Sequence, residues 1–523
     1  MRHLDGAADA FKNARRQRSR GRSVSRAVQV FLFVYLTAAV VPVLALVGVA
    51  VSAILQILSL TVRSTANIAR VGSRPEVQRT WTDPYFSIHV AARNEPPGMV
   101  IQTLKALQNQ HFPNDRYEIL IIDNNTSDEA LWRPVEQYAA SHPSIRFFHY
   151  DRLDGAKAGA LNIALEKTSP SATHIVTVDA DYVVEPDFLS HAEQALAGGQ
   201  YDYIQFPQAY HRPGDAGSGL DCELADYFKT YARQANGAEA VLPTGTLSII
   251  NRHALDVAGG WSGDSVTEDA ELGVRLCQNG FHGRYIDRVV GRGMLPLDFA
   301  SLSGQRHRWA AGNMRTLCMH TWPHPRWWRA VGFRRWLLTL SQLLAWPNFA
   351  LVPAAALLGA THLQIFVGIA PSPVHAILID ISAWTLIFVF VAVASNMVLS
   401  AVREKWPLGQ TLTAAATRLS LAPVSARATI NGLLQKRHRF VVTAKSVGRQ
   451  SNPLWQSFRD HIVLFVGGII ALIGVVSSEG WHLLDPAILG CFALISLWPM
   501  ALLAAGEIGS YRRALTHQTN EAR

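Results

Sequence analysis

Two apolar patterns alternate along this chain. Within residues 83–320 the apolar runs are short and bounded by polar turns, whereas on either side they are long and free of charge. The short runs read as buried strands: Phe86 to Ala92, Glu118 to Ile122 ending at Asp123, Phe147 to Tyr150, and His174 to Val178 ending at Asp179. Met99 to Gln110 and Ala158 to Leu165 carry helical spacing between them. Strands alternating with helices predict an α/β domain with a largely parallel sheet. Ligands of such sheets lie beyond the carboxyl ends of the strands, where Asp123 and Asp179 stand.

The long runs carry a different meaning. No charged side chain occurs from Ala27 to Val62, from Trp336 to Ile379, from Ile381 to Val402, from Ile462 to Ser478 or from Pro486 to Gly506. A bilayer span needs about 20 apolar residues, which predicts about six spans. Two are placed in residues 27–62, with Pro42 at a hairpin, two in 337–402 and two in 461–506. The mean hydropathy of +0.11 is high for a soluble enzyme and comes from these stretches.

The net charge of +9 clusters beside them. Arg15, Arg16, Arg18, Arg20, Arg22 and Arg26 crowd the basic segment 1–26, and Lys436, Arg437, Arg439 and Lys445 mark the loop 403–460. Excess positive charge marks the cytoplasmic side. Segment 1–26, the α/β block 83–320, the loop 403–460 and the tail 507–523 are therefore expected there. Residues 321–336 mix Trp322, Trp327, Trp328 and Trp336 with arginines, the pattern of an interfacial helix. Basic runs abutting apolar spans point to anionic lipid as partner and not to nucleic acid. The first span shows no cleavage site. The expected location is a multi-pass inner (plasma) membrane with the α/β domain cytoplasmic. The four cysteines, Cys222, Cys277, Cys318 and Cys491, show neither disulfide nor zinc spacing.

Candidate chemistry lies in the central block. Asp123-Asn124-Asn125, Asp179-Ala180-Asp181, Thr267-Glu268-Asp269 and Gln305-Arg306-His307-Arg308-Trp309 follow in that order. A nucleotide sugar has a diphosphate leaving group whose charge a divalent cation neutralises, and Mg2+ or Mn2+ takes carboxylate oxygens. Asp179 and Asp181 fall on one side of an extended backbone, so one reaches nucleotide and metal while the other holds the metal. Transfer to a hydroxyl needs a base, for which Asp269 is the candidate, with Glu268 beside it in the catalytic pair. Thr267 also reads as a helix N-cap and is placed with the acceptor side. Lys157, at a loop-to-helix junction in Asp154 to Asn162, offers charge to phosphate. Gln305, Arg306 and Arg308 supply diphosphate-binding groups, and Trp309 supplies a plate for a sugar ring.

These motifs resemble those of the processive, membrane-bound family 2 glycosyltransferases, the group of cellulose, hyaluronan, chitin and related β-glucan synthases. The resemblance implies a GT-A-type nucleotide-sugar-binding α/β domain, with a mostly parallel sheet, inserted between α-helical transmembrane segments. It implies that Asn94, Glu95, Asp123 and Lys157 hold UDP and that Asp179 and Asp181 form the Asp-x-Asp with the second on the metal. Asp269 would be the base, and Gln305, Arg308 and Trp309 the Gln-x-x-Arg-Trp with tryptophan beneath the acceptor. Phe440 to Lys445 looks like the gating loop of cellulose synthases, with Phe440, Thr443 and Lys445 as its marked positions. The chain departs from cellulose synthases at Leu242-Pro-Thr-Gly-Thr246, where they carry Phe-x-Cys-Gly-Ser, and no cyclic-di-GMP-binding tail is visible. The expected function is inverting, processive extension and translocation of a β-glycan from a nucleotide sugar, UDP-glucose favoured, with accessory subunits possible. Two alternatives remain: a non-processive transferase acting on a lipid-linked or membrane acceptor, and a non-catalytic transporter or scaffold.

Overall fold

The computed structural model describes residues 83–198, 201–210, 219–294, 296, 299–320, 331–347 and 397–434, with scattered positions between 377 and 395. Apart from a few of those scattered positions, they belong to one compact unit formed by Gln56–Phe349, Phe390–Ile462 and Leu494–Arg523. The predicted spans in 27–62 and 461–506, most of 337–402 and the Phe440–Lys445 loop lie outside the described residues. Among the described residues no helix is long and apolar enough to cross a membrane.

The first half alternates strand and helix. β1 (Phe86–Ala92), α1 (Pro97–Gln108), β2 (Tyr117–Asn124), α2 (Glu129–Ala140), β3 (Ile145–Tyr150), α3 (Ala156–Lys167) and β4 (His174–Asp179) follow in turn. Next come β5 (Val183–Val184), α4 (Phe188–Ala197), β6 (Tyr203–Gln205) and α5 (Gly219–Asp226). α5 runs on through a π-helical stretch, Tyr227–Ala232. β7 (Ser248–Asn251), α6 (Arg252–Val257), α7 (Glu268–Gln278), β8 (Gly283–Tyr285), β9 (Gly291–Arg292), α8 (Phe299–His320), α9 (Phe333–Leu343) and α10 (Leu408–Leu434) complete it.

The main sheet has the order β3-β2-β1-β4-β7-β6-β8, and β5 pairs with β9 apart from it. β3, β2, β1 and β4 are mutually parallel, and β7 runs antiparallel to both its neighbours. The fold is a GT-A-like α/β domain with a mostly parallel sheet. Helices cover both faces, which is why the strand sequences are continuously apolar instead of alternating. Ile119 and Ile121 of β2 join Phe86, Ile88 and Val90 in the larger core, whereas Leu120 and Ile122 pack with Ala160 and Ala164 of α3.

Chain direction away from β1 reverses between β2 and β4, which leaves a crevice at their carboxyl ends. Ala92 stands level with Asp123, and Ala91 level with Asp179. α8 and α10 pack together across the second half: a Cβ on Gly432 would come within 2.6 Å of the Ala311 carbonyl. α9 crosses the boundary expected at residue 336. It docks on the α/β domain through Gln342, which donates to the Ala240 carbonyl at 2.8 Å and accepts from the Leu242 amide at 2.8 Å.

Candidate active site

The crevice opens into a cleft of ≈ 1210 Å³. Glu95, Lys157, Asp179, Asp181, Thr267, Glu268, Asp269, Gln305, Arg308 and Trp309 all line it. Residues far apart in sequence and singled out for one chemistry therefore share one wall. Asn94 and Asp123 do not line it; their neighbours Arg93, Glu95 and Asn124 do.

Lys157 is placed by its loop. Asn125 clamps that loop, accepting from the Leu153 amide at 2.8 Å and donating to the Leu153 carbonyl at 2.9 Å. The Lys157 ammonium then donates to Asp179 Oδ1 at 2.5 Å and to the Gly245 carbonyl at 2.8 Å, with Glu268 Oε1 at 3.9 Å. Burial alone would lower its pKa, but the Asp179 and Glu268 charges outweigh that and raise it. The lysine is a permanent cation.

α7 starts at Glu268, with Thr267 in the cap position. The Thr267 hydroxyl does not cap; it pairs with Ser265 Oγ at 3.1 Å and packs where Gly312 of α8 leaves room. Asp269 Oδ1 accepts from the Ala270 amide at 2.8 Å, which fixes the carboxylate in the first turn. Burial, then the adjacent Asp269 charge, pushes the Glu268 carboxyl up to about 7. Burial also raises Asp269, against the pull of Lys157.

The stretch Leu242 to Thr246, notable in sequence only as a departure, forms part of the site. Thr246 Oγ1 accepts from the Asp179 amide at 3.0 Å. Gly245 has φ +79°, and a Cβ there would lie 2.9 Å from Asp269 Oδ2 and 3.2 Å from Lys157 Nζ. Gly245→Ala should therefore cost about 1–2 kcal/mol through its left-handed backbone alone. An unchanged unfolding midpoint would contradict this account of the turn.

Arg306 does not serve the cleft. On a helix, positions 305, 308 and 309 form one stripe and 306 leaves it. Its guanidinium makes two bonds to buried Glu223, at 3.0 and 2.6 Å, and lies 3.9 Å from the Trp346 ring centroid. The expectation that it binds diphosphate is thus corrected.

A second cavity of ≈ 410 Å³ shares Gln208, Thr244, Thr267, Asp269 and Trp309 with the first. Tyr227, Phe228 and Trp346 also line it, together with Asn313. The π-helical stretch supplies Tyr227 and Phe228, and such stretches are frequent at functional sites. Asp269 thus stands between a charged cleft and an aromatic cavity. Sequence reading missed Tyr227, Phe228, Thr244 and Trp346, which only the tertiary fold brings to this point.

Five carboxylates (Glu95, Asp179, Asp181, Glu268, Asp269) face three cations (Arg93, Lys157, Arg308) in the cleft. Such a surplus of negative charge repels a diphosphate unless a cation accompanies it. Among the described residues no group of three or more His, Cys, Asp or Glu side chains could hold a metal ion. Mg2+ or Mn2+ needs no such cage when one or two carboxylates hold it and substrate phosphates complete its shell. The hard oxygens of Asp179 and Asp181 fit that mode.

Residues 87–258 match glycosyl transferase family 2, and residues 174–399 match glycosyl transferase family group 2. The chain is 25% identical over 452 residues to cellulose synthase 2 of Novacetimonas hansenii, covering 83% of this chain and 27% of that protein. It is 27% identical over 271 residues to the beta-monoglucosyldiacylglycerol synthase of Synechocystis sp., covering 50% of this chain and 52% of that protein. The chain thus spans from about a quarter to a half of these relatives' lengths. The mannosyltransferase PcManGT from Pyrobaculum calidifontis, solved with GDP-Man and Mn2+, aligns with a TM-score of 0.48 at 19% identity, covering 72% of this chain and 97% of that one. The two matched regions overlap and together reach from residue 87 to residue 399, both matching glycosyl transferase family 2 descriptions.

Proposed function

We propose that this protein is an inverting, processive glycosyltransferase that extends a β-glycan from a nucleotide sugar, UDP-glucose favoured, and passes it across the membrane. The observation that carries the reading is the position of Asp269, shared by the charged cleft and the aromatic cavity. The donor diphosphate would lie in the cleft, near Lys157, Arg308 and the Asp179–Asp181 pair. The acceptor sugar would stack on Trp309 in the aromatic cavity. Asp269 takes the proton of the acceptor hydroxyl, whose oxygen attacks the anomeric carbon as its bond to the diphosphate breaks. Attack opposite the leaving group inverts that carbon. Arg308, whose pKa burial lowers against the opposing charges of Glu268 and Asp179, would meet the growing phosphate charge as a cation. A bound Mg2+ or Mn2+, held by Asp181 with Asp179, would neutralise the departing diphosphate.

UDP-glucose is favoured by the likeness of Phe440 to Lys445 to a gating loop. The likeness to a cellulose synthase supports a polymer product and a membrane location. The likeness to a beta-monoglucosyldiacylglycerol synthase supports a second reading, single transfer to a membrane lipid.

Inverted membrane vesicles containing the full chain test these readings with radiolabelled UDP-glucose, UDP-N-acetylglucosamine or GDP-mannose and either metal. Chelator-sensitive label in high-molecular-weight material is expected from one donor. Label only in lipid extracts would establish single transfer, and nucleotide binding without any incorporation would favour a non-catalytic role. The same assay reads pH dependence. Glu268 and Asp269 are both raised, so the base is lost as pH falls through its raised folded-state pKa. The two titrate as a pair, and the acid limb is expected above the ordinary carboxylate range, because burial raises both groups. A limb at about pH 4, the ordinary carboxylate value, would sink the assignment.

A further inference from the structure

We infer that Asp287 and Glu404 are positioning residues: they lock the π-helical stretch Tyr227–Ala232 and so hold Tyr227 and Phe228 in the wall of the aromatic cavity. The inference rests on the reading of that cavity as the acceptor side and adds what keeps it in shape. A π-helical turn takes a residue more than an α-helical turn and is rare, so its surroundings must hold it. Here the Arg233 amide bonds the Phe228 and Thr230 carbonyls and passes over the Lys229 carbonyl, which an α-helix would offer it. The Arg403 guanidinium takes up that carbonyl at 3.3 Å.

Two cations of the stretch and its end, Lys229 and Arg233, are held from two separate segments. Lys229 Nζ lies 2.7 Å from Asp287 Oδ1 and 3.6 Å from Glu404 Oε2. Arg233 donates to Glu404 Oε1 at 2.8 Å and to Asp287 Oδ2. Each carboxylate therefore spans both cations. Asp287 follows β8, and Glu404 follows the uncharged run that ends at Val402.

The same two segments reach the aromatic rings. Asp287 accepts from the Tyr285 hydroxyl at 3.1 Å, and Tyr285 stacks on Phe228 with ring centroids 6.2 Å apart. Ser400, four residues before Glu404, donates to Asp226 at the start of the stretch and lies 3.3 Å from the Thr230 hydroxyl. Tyr227 in turn stacks on Trp346 with centroids 5.1 Å apart. Closing the turn to α-helical bonding would rotate its two sides by about 100° against each other. Tyr227 and Phe228 lie inside the turn and would lose their places in the wall. Lys157, Asp179 and Arg308 stand on other elements, so the donor side would keep its shape. Asp287 and Glu404 line neither the cleft nor the cavity, which leaves the stretch as their route to both.

The test is steady-state transfer by the full chain in inverted membrane vesicles, with the donor that the wild type uses. Cellobiose and diacylglycerol are offered as acceptors, and the one that takes label is varied in concentration. The proteins are the wild type, Glu404→Gln, Glu404→Asp and the double variant Asp287→Asn with Glu404→Gln. Losing charge-assisted hydrogen bonds at partly exposed sites is worth about tenfold. The double variant is expected to raise the acceptor KM by about that factor, with the donor KM within about twofold of wild type. Glu404→Asp keeps the charge and should lose less than Glu404→Gln. A purely structural role would lower kcat through a smaller folded fraction and leave both KM values alone, which would overturn the proposal. An equal rise in donor KM would overturn it as well. A wild type that binds UDP yet labels neither acceptor would instead remove the acceptor reading of the cavity, and this assignment with it.

Discussion

Asp269→Asn is expected to abolish most sugar transfer while nucleotide binding persists. Asparagine keeps the size of the side chain and can still accept from the Ala270 amide, so the start of α7 survives. What disappears is the capacity to take a proton. General base catalysis contributes about 10²- to 10⁴-fold, and the loss should fall in that range. The position makes substitution by a neighbour difficult. Glu268 is one residue away, but its oxygen lies 3.9 Å from Lys157, and it does not line the aromatic cavity as Asp269 does. Bulk water is a poor substitute inside a cavity walled by Trp309, Tyr227 and Phe228. Radiolabel incorporation, with nucleotide binding measured in parallel, checks the prediction. A variant retaining more than about a tenth of wild-type transfer would remove Asp269 from the base role, because even the weakest general base supplies about 10²-fold. Loss of binding together with transfer would mean that the substitution had disturbed the Lys157–Asp179 pair.

How far such a site is legible without a structure depends on what the chain must do locally. β1, β2, β3 and β4 were readable because helices bury both their faces, which demands unbroken apolar runs between polar turns. The observed ends move by one or two residues, as with α1 at Pro97–Gln108 instead of Met99 to Gln110. β5, β6, β8 and β9 have two or three residues each, too few to carry any period, and exist only because a neighbour pairs with them. Acidic residues of the site were legible where they end a strand or begin a helix. Of the aromatic cavity only Trp309 was, since Tyr227, Phe228 and Trp346 carry no local signal that ties them to it. Arg306 was misread because a motif gives order along the chain and not direction around a helix.

Removing Arg306 is therefore expected to damage stability first. Arg306 is 3% exposed and Glu223 1%, and they meet through two hydrogen bonds. Arg418 of α10 lies 3.8 Å from Glu223 and bonds Asp226, which also accepts from Thr230 at 3.1 Å. These buried charges tie α5, α8 and α10 together beside the aromatic cavity. Burial pulls the Arg306 pKa down while Glu223 holds it up, so each charge depends on the other. Arg306→Met would leave Glu223 facing Arg418 at a longer distance and with its own bonds unmade. Breaking one half of a buried pair costs about 3–5 kcal/mol, whereas replacing both halves by apolar residues is often neutral or stabilising. The double variant Arg306→Met with Glu223→Met should then regain much of what the single change loses, and a double-mutant cycle isolates the coupling. Unfolding midpoints of the four proteins provide the measurement. A single variant that costs under about 1 kcal/mol would show the pair to be no better than a surface ion pair. A double variant as unstable as the sum of the two singles would show instead that each side chain acts through separate contacts, Arg306 through its stacking on Trp346.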